Sequence, residues 1–587
     1  MKKSRLVKMG MIVLFTIALV ISQLSAFADA ISDEAKRCAS FELGNGKKGA
    51  LFLAYHQAED VVEPRISDKM SDEYPKTYDL RDFGVVTPVK NQSPFGTCWG
   101  FATISAVETS ILSSSGKTYE ETGLDLSEHH LAYFARKAIT DKNDSQYKEG
   151  TYMVDATSSE LTTGGMFATS TSVLSSGIGP VSEEKIPYRG KNSDTTKSFM
   201  FFNQFYSPED DWSLPEEYRF VQEYQLIEAN QFKSPAVYKD GADDIEEPEE
   251  RAKYYLGTDL SVIDEIKAEL KEGLAVTIAF SADTSLPGQT PDAETVPCID
   301  ETADGKWLHF TPDCRTINHA VTIVGWDDTI KSTDFLDHSN DEGGDGLPHQ
   351  PAGDGAFIVK NSWGSSKNDF PNFGPWGNVT DGKNDGYFYL SYYDPTLSYP
   401  ESFEFLPMEN EASYIIDQYD YMVADEICGW LADTKLLMSN LFTAEVDENV
   451  ESLSCQTFIP NTKVTYQVYK LKPNSKSPID GTLAATVESE YEHAGYHRVF
   501  LPESVFVEKG STYAVVVNET VDIDGKNYYG LCTEKNINKE GAIQCNDDYL
   551  KEHPETDVEK EGLPQPYYCI GKVNPGESFV YCDELSC

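Results

Sequence analysis

Residues 91–101 read NQSPFGTCWGF, and ATISAVETSIL follows at 102–112. In that second run Ala102, Val107, Ile111 and Leu112 fall at roughly helical spacing, which predicts a helix opening at Cys98. A thiol at a helix N-terminus faces unpaired backbone N–H groups and the positive end of the helix dipole. Both favour the thiolate. A small buried cysteine gives the same local pattern, so the rest of the chain must decide. His319 lies in INHAVTIVGWDD (317–328), at the start of an apolar strand-like run, and Asn361 lies in AFIVKNSWG (356–364), at the end of another. A cysteine nucleophile needs a base, and the base needs a third group to fix its ring, for which an amide oxygen suffices. Gln92, six residues before Cys98, can offer its side-chain NH₂ beside the thiol, forming with the Cys98 N–H a cradle for an oxyanion. His129 and His130 in LSEHHL follow no such strand and read as bystanders.

In the order Gln92, Cys98, His319, Asn361, these residues closely resemble the papain-like cysteine proteases. Six blocks carry the resemblance: YDLRDFGVVTPVKNQSPFGTCWGFA (78–102), LSEHHLAYF (126–134), TTGGMFATSTSVLSSGIGPVSEEKIPY (162–188), IDEIKAELKEGLAVTIAF (263–280), NHAVTIVGW (318–326) and KNSWG, WG and GYFYLSY between 360 and 392. The resemblance implies an α+β, two-lobed domain, helical on one side and β-rich on the other. It makes Cys98 the nucleophile, His319 its partner, Asn361 the orienter and Gln92 the oxyanion donor. Trp363 would shield the His–Asn bond from water. Gly164 and Gly165 match the glycine pair along which extended substrate lies, where a side chain would block the incoming strand. Met166, Phe167, Ala279, Ile317 and Ala320 would line the pocket for the residue two before the scissile bond; all are apolar, so an apolar side chain is expected there. The family's usual cysteine pair is missing, with Phe95 and Thr162 at those places. No cofactor is implied.

The whole chain has 587 residues with 97 Asp+Glu against 48 Lys+Arg, a net charge of −49. Phosphate-backbone binding needs clustered cations, so nucleic acid is excluded as a partner. At 40% hydrophobic and 12% aromatic residues, the composition excludes a disordered chain. Lys2, Lys3, Arg5 and Lys8 precede an apolar run from Met9 to Ile21, and Ala26-Phe27-Ala28 supplies a small-x-small site. This reads as a signal peptide cleaved after Ala28, giving an exported chain with no later membrane span. Export permits disulfides. The 11 cysteines make an odd count that hints at one free thiol, for which Cys98 is the candidate, and Cys298–Cys314 would make a local loop.

The expected organisation is a signal at 1–28, a short pro-region at 29–73, a papain-like peptidase domain at 74–399 and a β-rich domain at 400–587. Two insertions enlarge the peptidase, near 190–256 and 328–354. The second is Gly- and Asp-rich but lacks the regular ligand spacing of a calcium loop, so no metal is assigned. Past residue 400 helical periodicity nearly vanishes. KVTYQVYKL (463–471) sets Val464, Tyr466 and Val468 on one face, and STYAVVVNET (511–520) does the same with Tyr513, Val515 and Val517. Short strands between turns suggest a β-sandwich. NLFTAEVDENVESLSC, AGYHRVFLPESVFVEKGSTYAVVV and NPGESFVY resemble the lectin-like β domain that follows papain-like domains in some bacterial secreted proteins.

The expected function is a secreted or cell-surface-associated cysteine endopeptidase acting on proteins or peptides, with the β domain offering glycan or cell-wall contact. Two alternatives stand beside it: a glycan-binding adhesive protein with a vestigial cleft, and a Cys–His amidase of cell-wall peptides. Retention of all four catalytic residue types weighs against the first. The Gln92–Cys98 interval, NSWG and the glycine pair weigh against the second.

Overall fold

The computed structural model describes the chain from residue 67 to 582 and two short strands at 40–42 and 48–53, apart from short stretches of which 192–209, 289–296, 339–349, 366–375 and 553–566 are the longest. The expected leader, its cleavage site and much of the expected pro-region lie outside the described residues, as do parts of both expected insertions. Among the described residues no helix is long and apolar enough to cross a membrane.

The helix expected from the 98–112 pattern runs Cys98–Ser115. Every residue from Cys98 to Leu112 is buried, so this is a central helix rather than a surface one. It stops at Gly116, whose φ of +63° lets its N–H reach back to the Leu112 and Ser113 carbonyls. Shorter helices, Glu128–Phe134 and Phe167–Ser175, pack beside it to form the helical lobe. The strand His319–Asp327 is buried at all of its positions because it is central in its sheet, which explains an apolar run without alternation. Val276–Phe280 and Ala356–Lys360 flank it, both antiparallel. Thr322 Oγ1 donates to Ala102 O at 3.0 Å, tying this strand to the central helix. The two lobes therefore meet along the face where Cys98 and His319 lie.

The sheet does not end with the peptidase lobe. Its order is Glu448–Thr457, Ala494–Val507, Tyr224–Gln231, Ser398–Pro407, Val276–Phe280, His319–Asp327, Ala356–Lys360, Tyr387–Ser391, Trp307–His309, Ile299–Glu301, with Thr77–Asp79 added against His319–Asp327. The first two strands come from the β-rich region, and Ala494–His497 pair with Glu228–Gln231 of the other half. A second, nine-stranded sheet includes Leu436–Thr443, Thr462–Leu471, Gly481–Tyr491 and Thr512–Ile523. Leu453, Leu501, Val505 and Val507 from the first sheet and Val464, Tyr466, Val468, Tyr513 and Val517 from the second share one apolar core. The β-rich half is thus a sandwich, one layer of which continues into the peptidase sheet.

Three expectations need correction. The odd cysteine count does not single out one thiol, because among the described residues Cys98, Cys298, Cys314, Cys455, Cys545 and Cys569 all lie outside any disulfide. Cys298 and Cys314 are not joined; both are buried thiols, the first beside Arg315 and Asp283 and the second against Tyr238. And the β-rich half contains a helix, Lys539–Glu552, whose largely polar sequence carries too few apolar positions to reveal a 3.6-residue period.

Candidate active site

Cys98 opens the central helix and is 2% exposed. Backbone N–H groups of Ala320, Trp99 and Cys98 itself face its sulfur and stabilise the anion, yet burial is the larger effect and pushes the thiol up to about 11. The contact with the Ala320 N–H brings the sulfur against the strand that begins at His319. His319 is buried and its Nε2 lies 2.8 Å from Asn361 Oδ1. The amide oxygen accepts, so that nitrogen carries the proton. The indole of Trp363 stacks on the imidazole, centroids 4.6 Å apart and planes at 25°, covering the pair from solvent. Burial drives His319 down to about 4, partly opposed by the Asn361 bond.

Gln92 is fixed at both ends of its amide. Oε1 accepts from Ser362 Oγ at 2.7 Å and Nε2 donates to Phe95 O at 3.1 Å. The Gln92 backbone N–H donates to Ser362 O at 2.8 Å. Ser362 also donates its own N–H to Asn361 Oδ1 at 2.8 Å. One turn, Asn361–Ser362, therefore holds both the imidazole and the Gln92 amide. A two-proton amide nitrogen with one proton engaged keeps the second for a ligand oxygen.

Behind the site lies a buried charge network that sequence reading missed. Glu108, fully buried on the central helix, accepts from Lys90 Nζ at 2.8 Å, from the Leu126 N–H at 2.8 Å and from the Thr87 hydroxyl. Lys90 also pairs with Asp125 at 2.7 Å and Glu128 at 2.9 Å. Lys360, the residue before Asn361, donates to Thr87 Oγ1 at 2.9 Å, and burial lowers it to about 8. These residues sit among apolar neighbours at no regular spacing, so periodicity could not find them.

The remaining expected residues lie on elements that adjoin Cys98 and His319. Gly164 has φ of +66°, and a Cβ on Gly165 would lie 2.5 Å from the Trp99 ring, so that glycine is required by packing. Met166 caps and Phe167 begins the helix Phe167–Ser175. Ala279 and Ala320 are direct cross-strand partners, and Ile317 is buried just before His319. His129 and His130 are packing residues: the ring nitrogens of the first face the Pro187 and Trp212 carbonyls, and Nε2 of the second faces the Tyr218 carbonyl.

A thiol on a central helix facing a His–Asn pair on a sheet lobe, with a β-sandwich behind, is the architecture of a papain-like cysteine protease joined to a lectin-like domain. Comparison with known proteins agrees. The model of the papain family cysteine proteases matches residues 74–207, and that of the lectin-like domain matches 416–548. Chymomexicain from Jacaratia mexicana is 39% identical over 82 residues, 14% of this chain and 36% of that protein. Cysteine proteinase 1 of Dictyostelium discoideum is 32% identical over 127 residues, 22% of this chain and 33% of its own. The matched stretches thus span only about a third of these relatives' lengths. Among solved structures, the clostridial cysteine protease Cwp84 after propeptide cleavage has a TM-score of 0.52 at 19% identity, covering 86% of this chain and 92% of its own. The protease and lectin-like domains of Cwp84, a surface layer associated protein of Clostridium difficile, give 0.52 at 18%, covering 89% and 86%. The chain carries a papain-family cysteine peptidase domain followed by a lectin-like β domain.

Proposed function

We propose that this protein is an exported cysteine endopeptidase that hydrolyses peptide bonds through Cys98, His319 and Asn361, with Gln92 completing the oxyanion site. The observation that carries this is the His319–Asn361 bond beneath Trp363, set on the strand whose Ala320 N–H meets the Cys98 sulfur. Burial keeps thiol and imidazole neutral when each is taken alone. Charge separation is therefore favoured only as a pair, with the thiol proton passing to His319 as the sulfur attacks the substrate carbonyl. The tetrahedral oxyanion takes the Cys98 N–H and the second proton of Gln92 Nε2. Collapse expels the amine, protonated by His319, and leaves a thioester that water hydrolyses with His319 as base. Gly164-Gly165 would pair with extended substrate, and Met166, Phe167, Ala279, Ile317 and Ala320 would favour an apolar side chain two residues before the scissile bond.

The basic, apolar leader supports export, and the likeness to a surface layer associated protease supports a place at or beyond the cell surface. The division into a leader at 1–28, a pro-region at 29–73, a peptidase at 74–399 and a lectin-like domain at 400–587 is part of this reading, with contact to glycan or cell wall assigned to the last. A thiol-directed epoxide should label wild type but not Cys98→Ala, and should abolish cleavage of denatured protein substrates. Equal labelling of the two proteins would overturn the assignment.

A further inference from the structure

We propose that Tyr188 and Trp212 are positioning residues for the oxyanion donor, acting through the loop Gln92–Thr97; the inference rests on the peptidase reading above. The Tyr188 hydroxyl donates to Gln92 O at 2.6 Å and lies 2.7 Å from Thr97 Oγ1. Its single proton is committed to the carbonyl, so the Thr97 hydroxyl is the donor in the second bond. One buried phenol thereby bridges both ends of the loop, from the oxyanion residue to the residue just before Cys98. Thr97 is spent on this bridge and makes no side-chain cap to the helix it precedes.

Trp212 holds the middle of the same loop. It comes from the segment 190–256 expected as an insertion, is 7% exposed, and meets Phe95 edge-on at 4.8 Å and 85°. It also packs on Tyr188 at 5.4 Å and His129 at 5.2 Å, while the His129 Nε2 faces the Trp212 carbonyl at 2.8 Å. Phe95 supplies the carbonyl that engages one proton of Gln92 Nε2. Moving the Phe95 ring moves that carbonyl, and with it the direction of the remaining Gln92 proton. Phe95 and Thr162 occupy the places of the cysteine pair that braces this loop in proteins the sequence resembles. Here ring packing from that segment and one phenol do the bracing.

The test uses the full chain and two reactions at one sulfur. Alkylation of Cys98 by iodoacetamide forms no oxyanion; amide hydrolysis and peptide-aldehyde binding both place an oxygen at Gln92. Tyr188→Phe keeps the ring and deletes the bridge. It should lower kcat and aldehyde affinity together by about ten-fold, part of the loss seen when an oxyanion donor is removed outright, with KM and alkylation rate within about two-fold. In a Gln92→Ala background it should have no further effect on kcat, because the two residues act as one unit. Trp212→Phe should fall between Tyr188→Phe and wild type, and Trp212→Ala below both if it folds. Unchanged kcat in Tyr188→Phe would overturn the proposal, as would an equal fall in alkylation, or a full additional loss in the Gln92→Ala background. Wild type that is neither alkylated at Cys98 nor able to cleave would instead remove the peptidase reading itself.

Discussion

At Cys98 two physical effects oppose each other. The helix N-terminus and three backbone N–H groups favour the thiolate, while burial disfavours it more strongly and lifts the thiol to about 11. Under the proposed function, its reactivity at neutral pH depends on His319 as the proton's destination. We expect His319→Ala to alkylate with iodoacetamide at least ten-fold more slowly than wild type at pH 7. The two rates should converge only above about pH 11, where hydroxide ionises the thiol without help. Equal rates at pH 7 would show that the helix end alone suffices. Ser362 invites a second test, since its hydroxyl holds Gln92 Oε1. Ser362→Ala should cut kcat roughly three- to ten-fold, a fraction of the loss from deleting an oxyanion donor, and leave alkylation unchanged; a fall in both would mean that the whole turn had shifted. Gln92, Cys98, His319 and Asn361 are legible in the sequence because each stands in a dense local motif at an element's end. Ser362, Tyr188 and the Lys90–Glu108 pair were not, because their partners lie 270, 96 and 18 residues away with no periodic trace.

Elements follow the same division. The central helix was legible from the helical spacing of Ala102, Val107, Ile111 and Leu112, and the strands at 319–327 and 356–360 from apolar runs that mark an element buried on both faces. Which strand lies beside which was not, since antiparallel register is set by contacts far apart in the chain. The meeting of the helix with the glycine pair shows what such contacts require. A methyl group on Gly165 would lie 2.5 to 2.8 Å from three atoms of the buried Trp99 ring, and Trp99 is only 1% exposed, so the ring has nowhere to go. Gly165→Ala should destabilise the fold by about 1–3 kcal/mol, the usual cost of overpacking, read as a lowered thermal midpoint. A Gly165→Ala protein with wild-type stability would show that the ring can yield. On the far side of the glycine pair, the strand Tyr567–Ile570 pairs with Gly150–Met153, and the Tyr567 ring lies 4.3 Å from the Arg136 guanidinium, whose Nη2 lies 3.5 Å from Gly164 O. The C-terminal segment thus reaches the helical lobe beside the expected substrate groove.

Across the whole molecule, the composition shift near residue 400 marks a change of texture that the hydrogen bonding does not follow. Ser398–Pro407 pairs with both Tyr224–Gln231 and Val276–Phe280, and Tyr224–Gln231 in turn carries Ala494–His497. Composition reports local environment, whereas continuity of a sheet is a long-range property, which is why the junction could not be read from sequence. The junction also collects titratable groups. Glu269, on the helix Leu260–Lys271, accepts from Ser402 Oγ at 2.6 Å and stands 3.9 Å from His493 Nε2; Glu228 and Glu404 add negative charge nearby. Burial, reinforced by those carboxylates and opposed by the Ser402 and Asn230 bonds, raises Glu269 to about 7. A carboxyl raised in the folded state favours folding in its neutral form. That contribution is complete below the unfolded value near 4.5 and is lost as pH rises through about 7. Glu269→Gln keeps the acceptor for Ser402 without the charge. It should therefore unfold like wild type at pH 4.5 and be more stable at pH 8, by up to about 3 kcal/mol for a shift of this size. Thermal midpoints of both proteins across pH 4.5 to 8 give the comparison. A constant difference would mean that Glu269 does not titrate at the junction, and a variant less stable at pH 8 would mean that its charge is held by His493 and holds the two halves together.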